Sequence, residues 1–297
     1  QNGKVSMISL IPLRENSDVD LNELGDQMRD LLGEDTIVRL ADEGGTVIAE
    51  VAGVSIKASL RNHPIPVEIL QEPLKAAWYW SDAESEINKH SSYFIVVISD
   101  PRIPEPPKME PAEVVEETPN IEGEGVLEIF PETPDAPPLD DSVIRYSVQG
   151  ALLLTRISLL LGNNYGALGI YWDGSTALHS WKAFEESCAS MTPVNLPLRI
   201  WIDFRLWESK DGTRGLVTHG MTEMGQRELE IIGSSSSAQQ IRAWSYTVAH
   251  YCLEKGKVLE HGQAVGISPK EWIRTWIVKS RLDPGTWATW LDLEAEE

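Results

Sequence analysis

The chain has 297 residues, 42% hydrophobic and 24% charged, a composition that suffices for one large globular core or two smaller ones. Its 46 acidic and 25 basic residues give a net charge of −21, which disfavours binding to nucleic acid or to a membrane surface. The negative charge has two possible explanations: it keeps the protein soluble, or it also attracts a basic protein partner. Cys188 and Cys252 form no disulfide framework, no secretory signal is evident, and the apolar run at 151–161 is too short to span a bilayer, so we expect a cytoplasmic protein.

Residues before position 100 carry the alternating and helical hydrophobic patterns of a small α+β unit. The patterns predict a strand at 5–13, a helix at 20–32, short strands at 36–40, 46–51 and 54–60, helical residues at 66–90 and a strand at 93–99. Turns at 44–45 and 52–53 separate the short strands, and Pro73 interrupts the helical residues. The continuous β-branched run of the last strand indicates burial on both faces.

An acidic, proline-rich segment spans residues 101–141. It holds ten of the 18 prolines, and twelve acidic residues against two basic ones, Arg102 and Lys108. Few apolar side chains and self-repelling charge favour a flexible linker or insertion over packed core. Within it, residues 126–130 alternate weakly and would suit a short strand or a docking motif.

A second set of elements follows the acidic segment and begins with an apolar, buried helix. The patterns predict helices at 142–161, 177–189 and 238–254, strands at 167–172, 198–207, 214–221, 227–232 and 286–293, and a hairpin turn at 210–212. Asp140, Asp141 or Ser142 would cap the first helix, and Gly162-Asn163 would end it.

The two sets repeat one order of elements: strand, helix, three strands, helix, strand. We therefore predict an α+β fold of two similar halves, residues 5–100 and 142–297, with mainly antiparallel sheets. The acidic segment at 101–141 and the buried helix would join them.

Charged and aromatic side chains share one face of the predicted strand at 198–207. Alternation places Trp201, Asp203, Arg205 and Trp207 together. This face is either a recognition surface, because aromatic residues and arginine are enriched at interface hot spots, or a packed seam with Asp203 and Arg205 paired.

Tryptophan is concentrated in the second half of the chain. Nine of the 11 tryptophans lie between Trp172 and Trp290, and Trp272 and Trp276 are one helical turn apart. Core packing accounts for most of them, but several exposed together would mark a protein interface. We therefore add Trp272 and Trp276 to the predicted partner-binding residues.

The position of His219 depends on the strand register. If residues 211–212 form a two-residue loop, His219 lies opposite Phe204 on the apolar face, as a core histidine. A shift of one residue would place it on the face of Asp203 and Arg205, where it could act in general acid–base catalysis.

An enzyme with a cleft between the halves is therefore the alternative hypothesis. Asp203, Arg205 and His219 would be its weak catalytic candidates, with Glu228 or Glu230 in support. The sequence contains no GxGxxG, GK[ST], GxSxG or HExxH motif, so we predict no cofactor and no metal site.

Five segments, in order along the chain, carry a resemblance to a known family. They are YFIVVIS, GALGIYW, LPLRIWIDFRLWESKDG, THGMTEMGQRELEI and HGQAVGIS. On these segments the chain resembles the bacterial domain-of-unknown-function family number 4261, mainly over residues 64–100 and 140–293. The resemblance implies a stand-alone bacterial cytoplasmic protein, accessory in some members to toxin or secretion systems, and it assigns no catalytic residues.

The charge, the absent catalytic motifs and the tryptophan-rich second half together predict a non-catalytic protein-interaction module. Its most specific form is an acidic immunity or adaptor protein that binds a basic partner, for example the active site of a secreted toxin. Complementary charge would speed capture of such a partner.

Overall fold

The computed structural model describes residues 6–15, 18–41, 44–104, 135–268 and 271–294. The chain divides into two compact units, Gln1–Glu105 with Arg145–Asp203 and Pro106–Ile144 with Phe204–Glu297. Most of the acidic segment, including the predicted strand or docking motif at 126–130, lies outside the described residues.

Strands of the first unit form a single antiparallel sheet. They are β1 (Ser6–Leu13), β2 (Ile37–Leu40), β3 (Thr46–Val51), β4 (Val54–Arg61), β5 (Ser92–Ser99), β6 (Gly169–Trp172) and β7 (Ala177–Ser180). Their order is β2-β3-β4-β5-β1-β6-β7. The central strands place fully buried Ile11, Ile56 and Phe94 on one face of the sheet and buried Leu10 and Tyr93 on the other, so the core lies on both sides of β1 and β5.

Helices pack around this sheet. They are α1 (Leu21–Leu32), α2 (Val67–Ala76), α3 (Ala83–Ile87), α4 (Asp141–Tyr165), α5 (Trp181–Cys188) and α6 (Leu198–Trp201). The longest helix, α4, lies against β1. A Cβ added at Gly150 would be only 3.3 Å from Met7 Sδ, and the hydroxyl oxygens of Ser158 and Ser9 are 2.9 Å apart.

By length and composition alone, α4 could cross a bilayer, but half of its most apolar window is buried. The core helix of a globular unit passes the same test. Ala151, Leu154 and Ile157 lie on the buried face, whereas Gln149 and Arg156 are exposed. The predicted burial of this helix therefore applies to one face.

The described residues of the second unit include a mixed sheet and a long helix. Its elements are β8 (Asp203–Glu208), β9 (Arg214–His219), β10 (Leu229–Ser234), α7 (Ala238–Lys255), β11 (Ala264–Ser268), β12 (Glu271–Lys279) and β13 (Trp287–Asp292). The strand order is β11-β12-β13-β10-β9-β8, with β10 and β13 parallel.

Helix α7 covers one face of this sheet. Ser237 begins it with a capping box, and Gly256 ends it in the left-handed conformation with a φ of 60°. Its Tyr246 ring lies 5.9 Å from that of Phe204 on β8. Along each strand, every second side chain points toward α7, and the side chains between them point to the opposite face of the sheet.

The mixed α+β fold with two sheets is confirmed, and the division into two units is roughly consistent with the two predicted halves, although their bounds differ. Residues 145–203 belong to the first unit and complete its sheet with β6 and β7, so the division does not fall at residue 142. The two sheets have seven and six strands in unrelated orders, so the predicted repeat of element order is not seen.

Two predicted elements are each replaced by a pair. The predicted helix at 177–189 is β7 followed by α5, because residues from Ala177 pair with β6 and Ser180 caps the helix only at Trp181. The predicted strand at 198–207 is α6 followed by β8, because one helical turn follows Pro197 before the chain becomes extended at Ile202.

One helix end is corrected, and two strands are added to those predicted. Helix α4 does not end at Gly162 but continues to Tyr165. Gly162 is needed for packing, since a Cβ there would lie 2.0 Å from Trp181 Cη2. Strands β11 and β12 were not predicted, because the spacing of Trp272 and Trp276 suggested a helix.

Candidate functional site

Three tryptophans and one arginine share the face of the second unit's sheet that lies opposite α7. On β12 the side chains of Trp272, Arg274 and Trp276 alternate with buried core residues such as Ile273. On β13 Trp290 pairs directly with Trp276 and so points the same way. These four half-buried side chains, Trp272, Arg274, Trp276 and Trp290, form what we name the Trp–Arg ladder.

Arg274 occupies the centre of the ladder. Its guanidinium carbon lies 5.4 Å from the ring centroid of Trp272 and 5.8 Å from that of Trp276, within the range of cation–π attraction. Its Nη1 donates a 3.2 Å hydrogen bond to the carbonyl oxygen of Gly262. Asp292 is its register partner, but the carboxylate of Asp292 accepts a 3.4 Å hydrogen bond from Trp276 Nε1. Among the residues that the structure describes, Arg274 forms no ion pair.

The segment HGQAVGIS supports the ladder from the preceding turn and strand. His261 accepts a 3.1 Å backbone hydrogen bond on Nδ1, and its ring meets that of Trp276 edge to face at 5.2 Å. Gly262 has a φ of +76°, a conformation that favours glycine. At Gly266 a Cβ would lie 2.7 Å from the Cβ of Trp272, so a side chain there would displace this tryptophan.

The segment THGMTEMGQRELEI is organised by the half-buried Glu228. Its carboxylate accepts five hydrogen bonds, of 2.7 to 3.2 Å, from Thr218 Oγ1, from the backbone N–H groups of Gly220, Met221 and Thr222, and from Thr222 Oγ1. This carboxylate therefore holds the connection between β9 and β10 in place, which is a structural task.

Residues 217–288 match the family model of DUF4261, a domain of unknown function. The expected resemblance is confirmed over this span, which holds THGMTEMGQRELEI, HGQAVGIS and most of the ladder. The segments YFIVVIS, GALGIYW and LPLRIWIDFRLWESKDG lie outside the DUF4261 match. Searches of curated proteins and of solved structures give no significant match.

Trp201 does not share a face with the other predicted partner-binding residues. It lies in α6, fully buried, with its ring 6.3 Å from that of Trp172 and its Nε1 donating a 3.0 Å hydrogen bond to Thr155 Oγ1. Its role is therefore to pack the core of the first unit.

Trp207 lies on the ladder face. Its ring covers Gly215, where a Cβ would be 2.1 Å from Trp207 Cζ2. Gly215 and Val217 point to the same side of β9, Val217 pairs with Glu230, and Glu230 pairs with Trp290. Trp207 thus lies on the same side of the sheet as the ladder, ten residues before the DUF4261 match begins.

Asp203 and Arg205 are half-buried on β8, on the same side of the strand as Trp207. Asp203 is counted with the first unit and Arg205 with the second. Their proposed catalytic role stays a prediction.

His219 does not lie in the core. It is half-buried and alternates with Leu216 and Thr218, which are fully buried on the other face of β9. The prediction of a core histidine is wrong because the hairpin closes between Ser209 N and Thr213 O, at 2.8 Å, and so has a three-residue loop. This shifts the expected register by one residue.

Glu230 is buried on the ladder face within the DUF4261 match. Burial raises the pKa of its carboxyl group, and repulsion from Asp283 adds to this; the hydrogen bonds from Ser280 Oγ and from the backbone N–H of Arg281 oppose it. A raised pKa is found both in carboxyl groups that act in acid–base catalysis and in carboxyl groups that are simply buried. The shift alone therefore assigns no catalytic role to Glu230.

His179 on β7 is a buried titratable group that the sequence patterns did not indicate. Its ring stacks on that of Tyr79 at 5.5 Å, and its Nε2 has no hydrogen-bond partner among the described residues. Burial lowers the pKa of His179 to about 4, opposed by the negative charge of Asp203. His179 is therefore neutral near pH 7.

The residues that the structure describes contain no group of three or more His, Cys, Asp or Glu side chains placed to hold a metal ion. The first unit has a shallow, mainly apolar cavity of about 210 Å³ lined by Leu31, Val54, Leu153 and Arg156 among others. Its lining contains no carboxylate or histidine, so it offers no acid–base pair.

Proposed function

We propose that the protein is a non-catalytic interaction module that binds another protein through the Trp–Arg ladder. The observation that carries this proposal is that one arginine, flanked by Trp272 and Trp276, shares a single sheet face with these two tryptophans and Trp290, all of them half-buried. Tryptophan and arginine dominate the binding energy of many protein interfaces, because they bury large areas and make directional hydrogen bonds.

The rigid support of the ladder favours binding. The ladder side chains stand on paired strands, and His261 and Gly262 contact them from the adjoining turn. A surface whose side chains are already ordered loses less conformational entropy when a partner binds. Positioning on strands rather than on loops supports a specific interface.

The net charge of −21 favours a basic protein as the partner. In its narrower form the proposal is a bacterial immunity or adaptor protein that neutralises a basic toxin or serves a secretion system. The narrower form rests on charge and on the family resemblance alone. It predicts that capture slows as ionic strength rises, because screening weakens long-range attraction.

Affinity capture with matched variants tests the proposal. Tagged wild-type protein, Trp272→Ala and Trp276→Ala would be expressed in the native host, with Trp78→Ala as the control because Trp78 is 78% exposed on the first unit. We expect one stoichiometric protein to be retained by the wild type and by Trp78→Ala, and recovered at least about tenfold less with either ladder variant. Equal recovery with all four proteins, or no stoichiometric partner at all, would contradict the proposal. Circular dichroism and thermal melts would show that the variants are folded.

A further inference from the structure

We propose that the Trp–Arg ladder receives a carboxylate side chain of the partner protein, bound by Arg274 between the rings of Trp272 and Trp276. This inference rests on the proposed function and names the chemical group that the surface selects. The partner segment is extended and carries an acidic residue flanked, at alternating positions, by apolar ones.

The hydrogen-bonding state of Arg274 is the first reason. A guanidinium has five N–H donors in a planar fork that matches a carboxylate. Here one nitrogen donates to the carbonyl oxygen of Gly262. The register partner Asp292 is 8% exposed and accepts from Trp276, and within the described residues no carboxylate forms an ion pair with Arg274. The half-buried guanidinium therefore retains donors for an external acceptor.

The two flanking rings are the second reason. Trp272 and Trp276 are four residues apart on one strand, so their Cα atoms are separated by about 13 Å, and Arg274 lies midway between them. Their rings hold the guanidinium by cation–π contact and leave apolar surface on either side of it. In an extended segment, side chains two residues apart are spaced to meet Trp272, Arg274 and Trp276 in turn.

Overall charge decides between a carboxylate and a nucleic-acid phosphate, since both fit an arginine flanked by aromatic rings. The net charge of −21 repels a phosphate backbone over a long range. A protein can carry a net positive charge and still present single carboxylates at its interface. A basic partner with a carboxylate at the ladder therefore satisfies both the overall charge and the local chemistry.

Two capped peptides that differ in one group test the inference: Val-Thr-Glu-Thr-Val and Val-Thr-Gln-Thr-Val, whose β-branched residues favour the extended conformation. Binding would be followed by NMR of the tryptophan indole N–H signals of the full chain, assigned with Trp→Phe variants. We expect the Glu peptide to shift the signals of Trp272 and Trp276, to leave that of Trp78 unmoved, and to bind about tenfold more tightly than the Gln peptide. In Arg274→Gln the two peptides should bind equally.

Equal binding of the two peptides to the wild type would overturn the inference, and so would an unchanged preference in Arg274→Gln. Tighter, Arg274-dependent binding of a short single-stranded oligothymidylate would assign the ladder to phosphate instead. The outcome is separable from that of the proposed function. If Trp272→Ala loses a captured partner but Arg274→Gln keeps it at full affinity, the interaction module stands and the carboxylate contact falls.

Discussion

The hydroxyl of Thr218 donates a 2.7 Å hydrogen bond to the carboxylate of Glu228, and the same hydroxyl accepts one of 2.7 Å from the backbone N–H of Leu229. Together with the N–H groups of residues 220–222, Glu228 closes the connection between β9 and β10. This network explains why Thr, Gly and Glu occur together in the segment THGMTEMGQRELEI.

Replacing Glu228 by alanine should destabilise the protein by about 2–4 kcal/mol, because several donors lose their acceptor at once. The free energy of unfolding would be measured by chemical denaturation. Glu271→Ala is the matched control, since Glu271 is exposed at the start of β12, and its effect should stay within about 0.5 kcal/mol. Similar losses in both variants would show that the Glu228 network does not stabilise the fold.

Gly215 is the position on β9 where a side chain is least tolerated. A Cβ there would lie 2.1 Å from Trp207 Cζ2 and 2.7 Å from the carbonyl oxygen of Ile231. Gly215→Ala should therefore destabilise the protein by about 2–4 kcal/mol and change the fluorescence of Trp207.

Gly44→Ala provides the control for this glycine. Gly44 has no atom within 4 Å of a built Cβ and no positive φ, so alanine should be neutral or slightly stabilising there. If Gly215→Ala were as harmless as Gly44→Ala in thermal melts, the close packing of Trp207 on β9 would be wrong.

The strands of the first unit could be predicted from the sequence because their alternation is local. Strands β1 to β5 lie within two residues of the predicted ranges, since glycine turns and β-branched runs mark their ends. The addition of β6 and β7 to the same sheet could not be predicted, because it depends on pairing between residues more than 150 positions apart, such as Leu10 and Tyr171.

The ladder was anticipated in part, for a physical reason. Trp272 and Trp276 were expected on one face of a helix, but a spacing of four also places two residues on one face of a strand. Trp272 and Trp276 therefore lie on the same face, as expected, although the element is a strand and not a helix. The role of Arg274 was not anticipated, because a single arginine between two tryptophans gives no indication of its partner until the β12–β13 register is known.

The grouping with Trp201 failed because the alternation was extended across an element boundary. From Trp201 to Trp207 the pattern reads as one strand, yet the first residues form α6 and Trp201 turns into the core. Local alternation cannot distinguish a buried helical turn from the beginning of a strand.

The raised pKa of Glu230 makes stability depend on pH. In the unfolded chain this group titrates near its ordinary value of 4.5, whereas in the folded protein burial raises its pKa. The stability associated with protonated Glu230 is present below about pH 4.5 and is lost as the pH rises through the folded value. Glu230→Gln, which retains an acceptor for Ser280, should therefore gain stability relative to the wild type as the pH increases.

Chemical denaturation of the wild type and of Glu230→Gln, at a series of pH values from about 4.5 upward, checks the effect of Glu230. The difference in unfolding free energy should change in favour of Glu230→Gln with increasing pH, whereas Glu271→Gln should follow the wild type. A constant difference at all pH values would mean that Glu230 titrates alike in the folded and unfolded states.

His179 should show the opposite dependence, because its pKa is lowered to about 4 from an ordinary 6.5. Between these values the unfolded chain binds more protons than the folded one, so stability should fall on acidification, by about 3 kcal/mol in total. The wild type should therefore lose its stability advantage over His179→Gln as the pH falls from about 6.5 to about 4, and NMR should show the His179 ring neutral above about pH 5. Removing the opposing charge with Asp203→Asn should lower the pKa further, since Asp203 raises it. If the His179 ring titrated near its ordinary value in the folded protein, its burial against Tyr79 would be contradicted.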